Sequence, residues 1–477
     1  MLDERVRKVL QALEGAGYEA YVVGGAVRDM VMNRQLHDYD VTTSARPEEI
    51  RIVAEKMGWH TVEIHGDRFG VVVLVVEGLS IETVTFRGER YGEDSHRPDA
   101  VWYADTLRED VLRRDFTCNA LAMDARGSVY DYVGGQKDIA KKRLVTVGDG
   151  ATRFSEDSLR MFRFCRFIGQ LGFTPETKSL KAIPTCLHRV GGLSLERVMQ
   201  ELDKLMVSKW CGAGLNVLVR MGLGDCHCRR KSNGTYVDIP ILPELTHLVT
   251  TPQSLPFHAY DAWVHTLVAV DHTPQDLTIR YAMLLHDVAK GLPGIRGFHK
   301  DHLTDYGHDV KGADMARDIL TRLGKSPSFV TRVAWLVRNH MKFHYFANTG
   351  EGDVWKWLRK EALSHEFKSS ASLSQAFLEA GAVAVGDIWG CGRGEVHTEG
   401  TEEFARFMAE LALEMPVGKK DLHYDRRIPD ICGPLTGACL DNLLMRVQNR
   451  QLENQSDVLL EAARHWFQRN HRAEDRP

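Results

Sequence analysis

The stretch GGAVRDMVMNRQLHDYDVTT, residues 24–43, decides how the chain is read. It follows an apolar run, YEAYVV, that reads as a strand, and its paired glycines open onto a helix pattern, AVRDMVM. Gly24 and Gly25 therefore offer bare backbone N–H groups at a strand-to-helix turn, a cradle for phosphate to which Arg28 adds charge. Farther on, HDYDV reads as a strand with Asp38 and Asp40 on one face and Tyr39 and Val41 on the other. Two carboxylates so placed repel each other. The repulsion is relieved if divalent cations lie between them, and Mg²⁺ prefers a few carboxylate oxygens together with substrate phosphate oxygens. The turn and the acidic pair thus imply one reaction, a two-metal transfer with an attacking hydroxyl and a leaving pyrophosphate. Asp-x-Asp alone is common turn chemistry; the glycine turn upstream is what changes its meaning. A further carboxylate, Glu82 in SIETVTF, is either a third member of this group or a solvent-facing strand residue.

Working outward, the text up to about residue 147 alternates helix with β-rich runs: EAYVVGG, DYDVTTS, GWHTVEIHG and GVVVLVVEGLSIETVTFR, the last folding at Glu77-Gly78 as a hairpin. From Ala151 the β-branched runs vanish and helical spacing takes over, as in SEDSLRMFRFCRFIGQLGF and LSLERVMQELDKLM. A polar, turn-rich stretch, CHCRRKSNGTYVDIP, precedes a histidine-dense region between about Pro243 and Asp387, and a charged helical segment follows from about Gly392. The expected organisation is α+β: a catalytic head with a mixed sheet over 1–147, then mostly helical segments over 148–230, 231–390 and 391–477.

With 477 residues, 43% of them apolar, the chain is long enough for two to four cores. Its 61 Lys and Arg against 65 Asp and Glu exclude blanket basicity, so any nucleic-acid site is a local stripe. The opening residues read as a charged amphipathic helix rather than a secretory signal, and no run approaches transmembrane length, so the expectation is a cytoplasmic protein without a membrane partner. Nine scattered cysteines read as reduced thiols, and Cys226-His227-Cys228 is assigned no role.

On these motifs the chain resembles the class II tRNA nucleotidyltransferase and bacterial poly(A) polymerase family, a branch of the polymerase-β-like nucleotidyltransferases. G-G-x-V-R-D followed by D-x-D is similar to that family's first motif. Arg113-Arg114-Asp115-Phe116-Thr117-x-Asn119-Ala120 is similar to its R-R-D-F-T-x-N-A, which the resemblance implies binds the triphosphate and ribose. Glu156-Asp157-x-x-Arg160-x-x-Arg163 and Ser194-x-Glu196-Arg197-x-x-x-Glu201 match two further elements, and Arg166 joins the nucleotide-binding candidates. Asn33 departs from a frequent glycine. The polar segment FRGERYGEDSHRPDAVWYADTLRED resembles the family's flexible loop, which favours addition of all three nucleotides.

Asp157 and Arg160, read as i, i+3 on one helix, set an acceptor-only group beside a donor fork. Together they present the complement of a base edge, suited to the exocyclic amine of C or A; the resemblance implies the same pair selects CTP, then ATP. An Asp–Arg helix salt bridge is the plain alternative. Arg113 and Arg114 are either solvated surface or the local positive charge that triphosphate needs.

In the histidine region, His265, the doublet His286-Asp287 and Asp387 follow the H…HD…D order of the HD superfamily of metal hydrolases. Imidazoles and carboxylates suit a divalent transition metal or Mg²⁺, whose bound water would cleave a phosphoester. His308 and His340 are candidates for a second metal, and Lys290 for phosphate. The resemblance implies a phosphatase or cyclic phosphodiesterase activity in tRNA end repair. Lys178, Lys181, Arg189, Arg446 and Arg450 lie where helices could follow RNA phosphates.

The expected function is addition or repair of the 3′-terminal CCA of tRNA from CTP and ATP. The alternatives are a poly(A) polymerase, an enzyme adding only CC or only A, and an HD phosphohydrolase whose head senses nucleotides. Oligomeric state is not legible.

Overall fold

The computed structural model describes residues 2–36, 38–62, 70–90 and 100–474, which form two compact units, Met1–Thr246 and His247–Pro477. Within the first, nine strands come early: β1 (Ala20–Val23), β2 (Asp40–Thr43), β3 (His60–Val62), β4 (Val71–Val76), β5 (Leu79–Thr85), β6 (Arg87–Arg90), β7 (Ala100–Tyr103), β8 (Leu121–Met123) and β9 (Val129–Asp131). Seven of them build one sheet in the order β3-β4-β5-β2-β1-β8-β9, while β6 and β7 pair separately. The β2–β5 pair is parallel and the other pairs are antiparallel, so the sheet is mixed as expected. Glu77 and Gly78 take φ of 47° and 80°, the left-handed pair that joins β4 to β5 in a two-residue hairpin. The end of GWHTVEIHG and the centre of the loop read as flexible, residues 63–69 and 91–99, lie outside the described residues.

Helix Glu4–Gly15 buries Val6, Val9, Leu10 and Leu13, the i, i+3, i+4, i+7 stripe its sequence announces. Behind the sheet, Val23, Phe86, Leu107, Val111, Ala120 and Ala122 share one core cluster. The helical part of this unit is tied to the head by aromatic packing: Phe116, fully buried, has its ring centroid 5.6 Å from those of both Phe164 and Phe167. These two belong to helix Leu159–Leu171, so Phe116 fixes the helix whose arginines face the head. Phe116→Ala is expected to cost about 3–5 kcal/mol, through lost burial and the cavity left behind. Native-state hydrogen exchange of the amides in this helix measures it.

The stretch CHCRRKSNGTYVDIP is ordered as a hairpin of the first unit, with His227–Ser232 antiparallel to Thr235–Pro240. Its thiols meet backbone oxygens, Cys226 that of Gly222 and Cys228 that of Ile239.

The second unit is mostly helical, with one hairpin in which Arg296–His299 runs antiparallel to His302–Asp305. Helices Ala262–Asp271, Leu277–Leu285, His308–Arg322, Pro327–Thr349 and Ser370–Gly390 carry the histidine motif, around the fully buried Trp263 and Trp335. Asp261 and Asp276 cap the first two by accepting from backbone N–H groups of Val264 and of Thr278 and Ile279. A separate cluster with Ile428, Cys439, Leu443 and Leu459 packs the last helices. Among the described residues no helix is long and apolar enough to cross a membrane.

Candidate active sites: an acidic nucleotide cavity and a histidine centre

In the first unit a cavity of about 790 Å³ is lined by Gly24, Gly25, Arg28, Asp38, Asp40, Arg113, Arg114, Asp115, Asn119, Asp157, Arg160, Arg163 and Arg166. The structure thus brings together every nucleotide-binding residue singled out above. Gly24 has φ 74° and ψ −134°, a conformation open to glycine alone. A Cβ there would lie 3.2 Å from a guanidinium nitrogen of Arg114 and 3.8 Å from Asp40 Oδ2, so the turn touches both the cationic and the acidic side of the cavity.

Asp40 opens β2 and stands opposite Glu82 of β5 in the parallel register. Its carboxyl is pushed up from the usual carboxylate range by burial, then by the charges of Glu82 and Asp38, with Arg114 opposing. The charges of Glu82 and Asp38 therefore disfavour that of Asp40, a condition that hard divalent cations relieve. Asp38 differs from expectation in one respect: it precedes the strand, which begins only at Asp40. The alternation survives nonetheless, with Tyr39 and Val41 buried and Asp38 and Asp40 on the solvent-accessible face, where Asp40 is reached by solvent through the cavity while protein surrounds its carboxyl.

The arginines are held by buried acids. Asp110, fully buried, accepts from Arg113 at 2.6 Å and from Arg114 at 3.2 Å; burial pushes its carboxyl up, but the two guanidiniums outweigh that and lower it. Asp115 accepts from Arg163 Nε at 2.8 Å and from Asn119 Nδ2 at 3.2 Å, and Arg28 donates to Asn119 Oδ1 at 2.6 Å. A single relay thus runs from the glycine turn to helix Leu159–Leu171. Burial works against the Asp115 carboxylate, yet Arg163 overcomes it and brings the group down to about 2. Arg166 bonds Glu201, the last residue of the S-x-E-R-x-x-x-E element, and Gln170.

Asp157 and Arg160 both line the cavity, by a geometry different from one helical face. Asp157 is extended, with φ −140° and ψ 104°, at the break between helices Gly150–Glu156 and Leu159–Leu171. Arg160, in the first turn of the second helix, donates to Glu156 at 2.8 Å and to the Arg113 carbonyl at 3.0 Å. At the break the Asp157 carboxylate accepts from the Leu159 N–H at 3.0 Å through Oδ1, and the bonds of Arg160 orient its fork. Arg87, Phe167 and Lys204 also line the cavity; all three stand in segments quoted above, but no spacing sets the two cations apart from their charged neighbours and Phe167 reads as core.

In the second unit His265, His286, Asp287, His308, His340 and Asp387 converge, all buried. His265 Nε2 lies 3.1 Å from both His286 Nε2 and Asp387 Oδ1. Asp287 spans two groups, its Oδ2 3.1 Å from His286 Nε2 and its Oδ1 3.4 Å from His308 Nε2. His308 Nε2 and His340 Nε2 are 3.1 Å apart. The Nδ1 atoms of His286, His308 and His340 sit 2.7, 2.7 and 2.6 Å from backbone carbonyls of Met283, Asp305 and Val337. A carbonyl only accepts, so each Nδ1 carries the hydrogen and each Nε2 turns a lone pair toward the cluster. Lone pairs facing at 3.1 Å repel unless a proton or a metal ion lies between them. Beyond the ion pair with Lys290 at 2.7 Å, neither Asp287 oxygen has a hydrogen-bond donor. The donor set falls into the trios His265–His286–Asp387 and Asp287–His308–His340, each of which would suit a divalent ion.

Three partners were not foreseen. His344 Nε2 lies 2.9 Å from Asp387 Oδ2. His258 packs on His265, and burial brings it down to about 4. Cys391 follows the helix that carries Asp387. A helical i, i+4 count from His340 finds His344; nothing in the sequence marks His258 or Cys391.

Comparison with known proteins agrees with this geometry. Residues 20–145 match the family described as the poly A polymerase head domain, 172–225 that of a probable RNA and SrmB-binding site of polymerase A, and 264–368 the HD domain. A CCA-adding enzyme of Bacillus pumilus is 39% identical over 264 residues, 55% of this chain and 62% of that protein. One of Geobacillus sp. is 46% identical over 215 residues, 45% of this chain and 52% of that protein. The chain thus spans between half and two thirds of the length of these curated relatives. The fold is similar to that of the Bacillus stearothermophilus CCA-adding enzyme solved with CTP, at TM-score 0.66 and 23% identity over 99% of this chain and 98% of that one. A tRNA nucleotidyltransferase solved with a primer tRNA and an incoming ATP analog aligns at TM-score 0.52 and 16% identity over 85% of this chain and 97% of that one. Head, RNA-binding and HD matches thus occur in this order on one polypeptide, and its fold is similar to that of CCA-adding enzymes.

Proposed function

We propose that the chain adds or restores the 3′-terminal CCA of tRNA without a nucleic-acid template, from CTP and ATP. The observation that carries this reading is the convergence of Asp38 and Asp40 with the Gly24 turn and Arg114 at one cavity, with Glu82 paired to Asp40 on the neighbouring strand. Asp38, Asp40 and Glu82 would hold Mg²⁺, which supplies a lowered pKa for the attacking hydroxyl and neutralises charge on the phosphates. Around it the chain's own groups bind and orient. Gly24 lets backbone approach the triphosphate, Arg114 adds charge beside it, and Asp115, Asn119 and Arg28 hold the ribose side of the cavity in register. Asp157 accepts from the exocyclic amine of C or A, and Arg160 donates beside it. Arg163 and Arg166, fixed by Asp115 and Glu201, carry the helix that presents them. We place the protein in the cytoplasm, where CTP, ATP and tRNA meet.

The test incubates the full chain with tRNA ending at the discriminator base, Mg²⁺, and each NTP in turn. Two C then one A is expected; a long A tract would make it a poly(A) polymerase, and phosphate release without incorporation a phosphohydrolase with a sensing head. For Asp157→Ala we expect C and A to lose their advantage over U by about 10-fold to 100-fold, the scale of one lost polar contact to a base.

We assign His265, His286, Asp287 and Asp387 to one divalent metal, and His308 and His340, with Asp287 shared, to a second. Such ions supply an activated water for phosphoester cleavage, and Lys290 is placed to hold a phosphate oxygen. His286→Ala is expected to lower the metal content of the purified chain and leave nucleotide incorporation intact, measured by elemental analysis beside the incorporation assay.

A further inference from the structure

His286, His308 and His340 each fasten Nδ1 to a backbone carbonyl three residues back, and His265 does not. Its Nε2 is committed to His286 and Asp387, while its Nδ1 is buried with no hydrogen-bond partner, in a side chain 0% exposed. An imidazole nitrogen left bare in the interior costs free energy unless something is bound there. That nitrogen faces the end of helix Ser370–Gly390: a Cβ built on Gly390 would lie 2.9 Å from it, and Cys391 is the next residue.

On the same side the ring of His258 meets that of His265 edge-on, with centroids 5.0 Å apart. His258 Nδ1 is a second buried nitrogen without a partner. One ligand atom each from His258, His265 and Cys391 lie within 4.8 Å of one another. The backbone holds the pieces together, since Ala259 N donates to the Cys391 carbonyl at 2.9 Å. Gln253, which accepts from Lys290 at 2.8 Å, donates to the Tyr260 carbonyl at 3.3 Å.

We propose that His258, Cys391 and Nδ1 of His265 form a further metal site, adjacent to the His/Asp centre and selective for a thiophilic divalent ion of the Zn²⁺ class. Two imidazole nitrogens and one thiolate fill three of four tetrahedral positions and leave one for water or substrate. The sulfur rejects Mg²⁺, which the carboxylates of the first unit prefer. On binding, the Cys391 S–H bond breaks, the S–metal bond forms, and the proton leaves to solvent. The metal then takes the place that a carbonyl holds for the other three imidazoles, orienting His265 toward Asp387.

The test strips the full chain of metal and titrates it with Co²⁺. A near-ultraviolet thiolate-to-Co²⁺ charge-transfer band is expected, and Cys391→Ser should lose it and bind one ion fewer, while keeping the visible bands of the His/Asp centre. Should Cys391→Ser fail to fold by circular dichroism, His258→Ala, with the thiol intact, is expected to weaken Co²⁺ binding at that band by about 10-fold to 100-fold. No charge-transfer band at saturation, or a band undiminished in both variants, overturns the proposal. Failure of the inner centre reads differently, as visible bands that His286→Ala leaves unchanged.

Discussion

Asp40→Asn is expected to lower the rate of C incorporation by about 10³-fold or more while leaving the protein folded and no less stable. A 10³-fold loss is about 4 kcal/mol of barrier, within the scale of a lost electrostatic contact to the reacting group. The stability half of the result follows from the crowding of the three acids. Burial and the charges of Glu82 and Asp38 raise the Asp40 carboxyl, so its ionised form is a strain on the folded chain at neutral pH. The amide removes that strain. The melting temperature of the metal-free variant should therefore equal or exceed that of the parent, and the gain in melting temperature that the parent shows with Mg²⁺ should shrink. A variant that incorporates at near-normal rate would remove Asp40 from the reaction. One that melts well below the parent would show that the acids are held by something other than mutual repulsion.

Asp115→Ala is expected to destabilise the first unit by about 3–5 kcal/mol, because it leaves the Arg163 guanidinium without its buried partner. Asp115 is 7% exposed and brought down to about 2. In the unfolded chain an aspartate titrates near about 3.9, so the pairing stabilises the fold above that value by about 2–3 kcal/mol. This contribution is lost as the pH falls from about 4 toward 2. Hydrogen exchange of helix Leu159–Leu171 across that range should show the loss in the parent and a flatter profile in the variant. Asp115→Asn, which can still accept from Arg163, should fall between them. Nucleotide affinity should drop in both variants, since the relay through Asn119 and Arg28 starts at this carboxylate.

The head was legible because its signals are local. A glycine pair after an apolar run, the Glu77-Gly78 turn and the alternation around Asp40 each depend on a few neighbouring residues. Glu82 was readable only as a candidate, because whether it meets Asp40 rests on the parallel register of β2 with β5, and no local pattern states it. Asp157 was assigned to the right cavity with the wrong backbone: helical periodicity runs through SEDSLRM without a proline or glycine to mark the break. The extended residue follows from tertiary demands on both helices. Asp110 shows the same limit. Its spacing from Arg113 and Arg114 was visible, but its complete burial between them was not. In the second unit the H…HD…D order picked out His265, His286, Asp287 and Asp387, which the fold brings together. His258 and Cys391 come from a loop and a helix end brought together over more than a hundred positions of sequence, a juxtaposition invisible to any spacing rule.

The parallel pairing of Asp40 with Glu82 makes the placement of these two acids quantised. Side chains along a strand alternate with period two, so sliding β5 by one residue would turn Glu82 to the opposite face; no intermediate placement exists. Lengthening the connection between β2 and β4 is a far gentler change, since doubling a flexible link adds only about 0.6 kcal/mol of closure entropy. Relatives of this chain are thus free to accumulate insertions there, while the ladder itself admits a single setting.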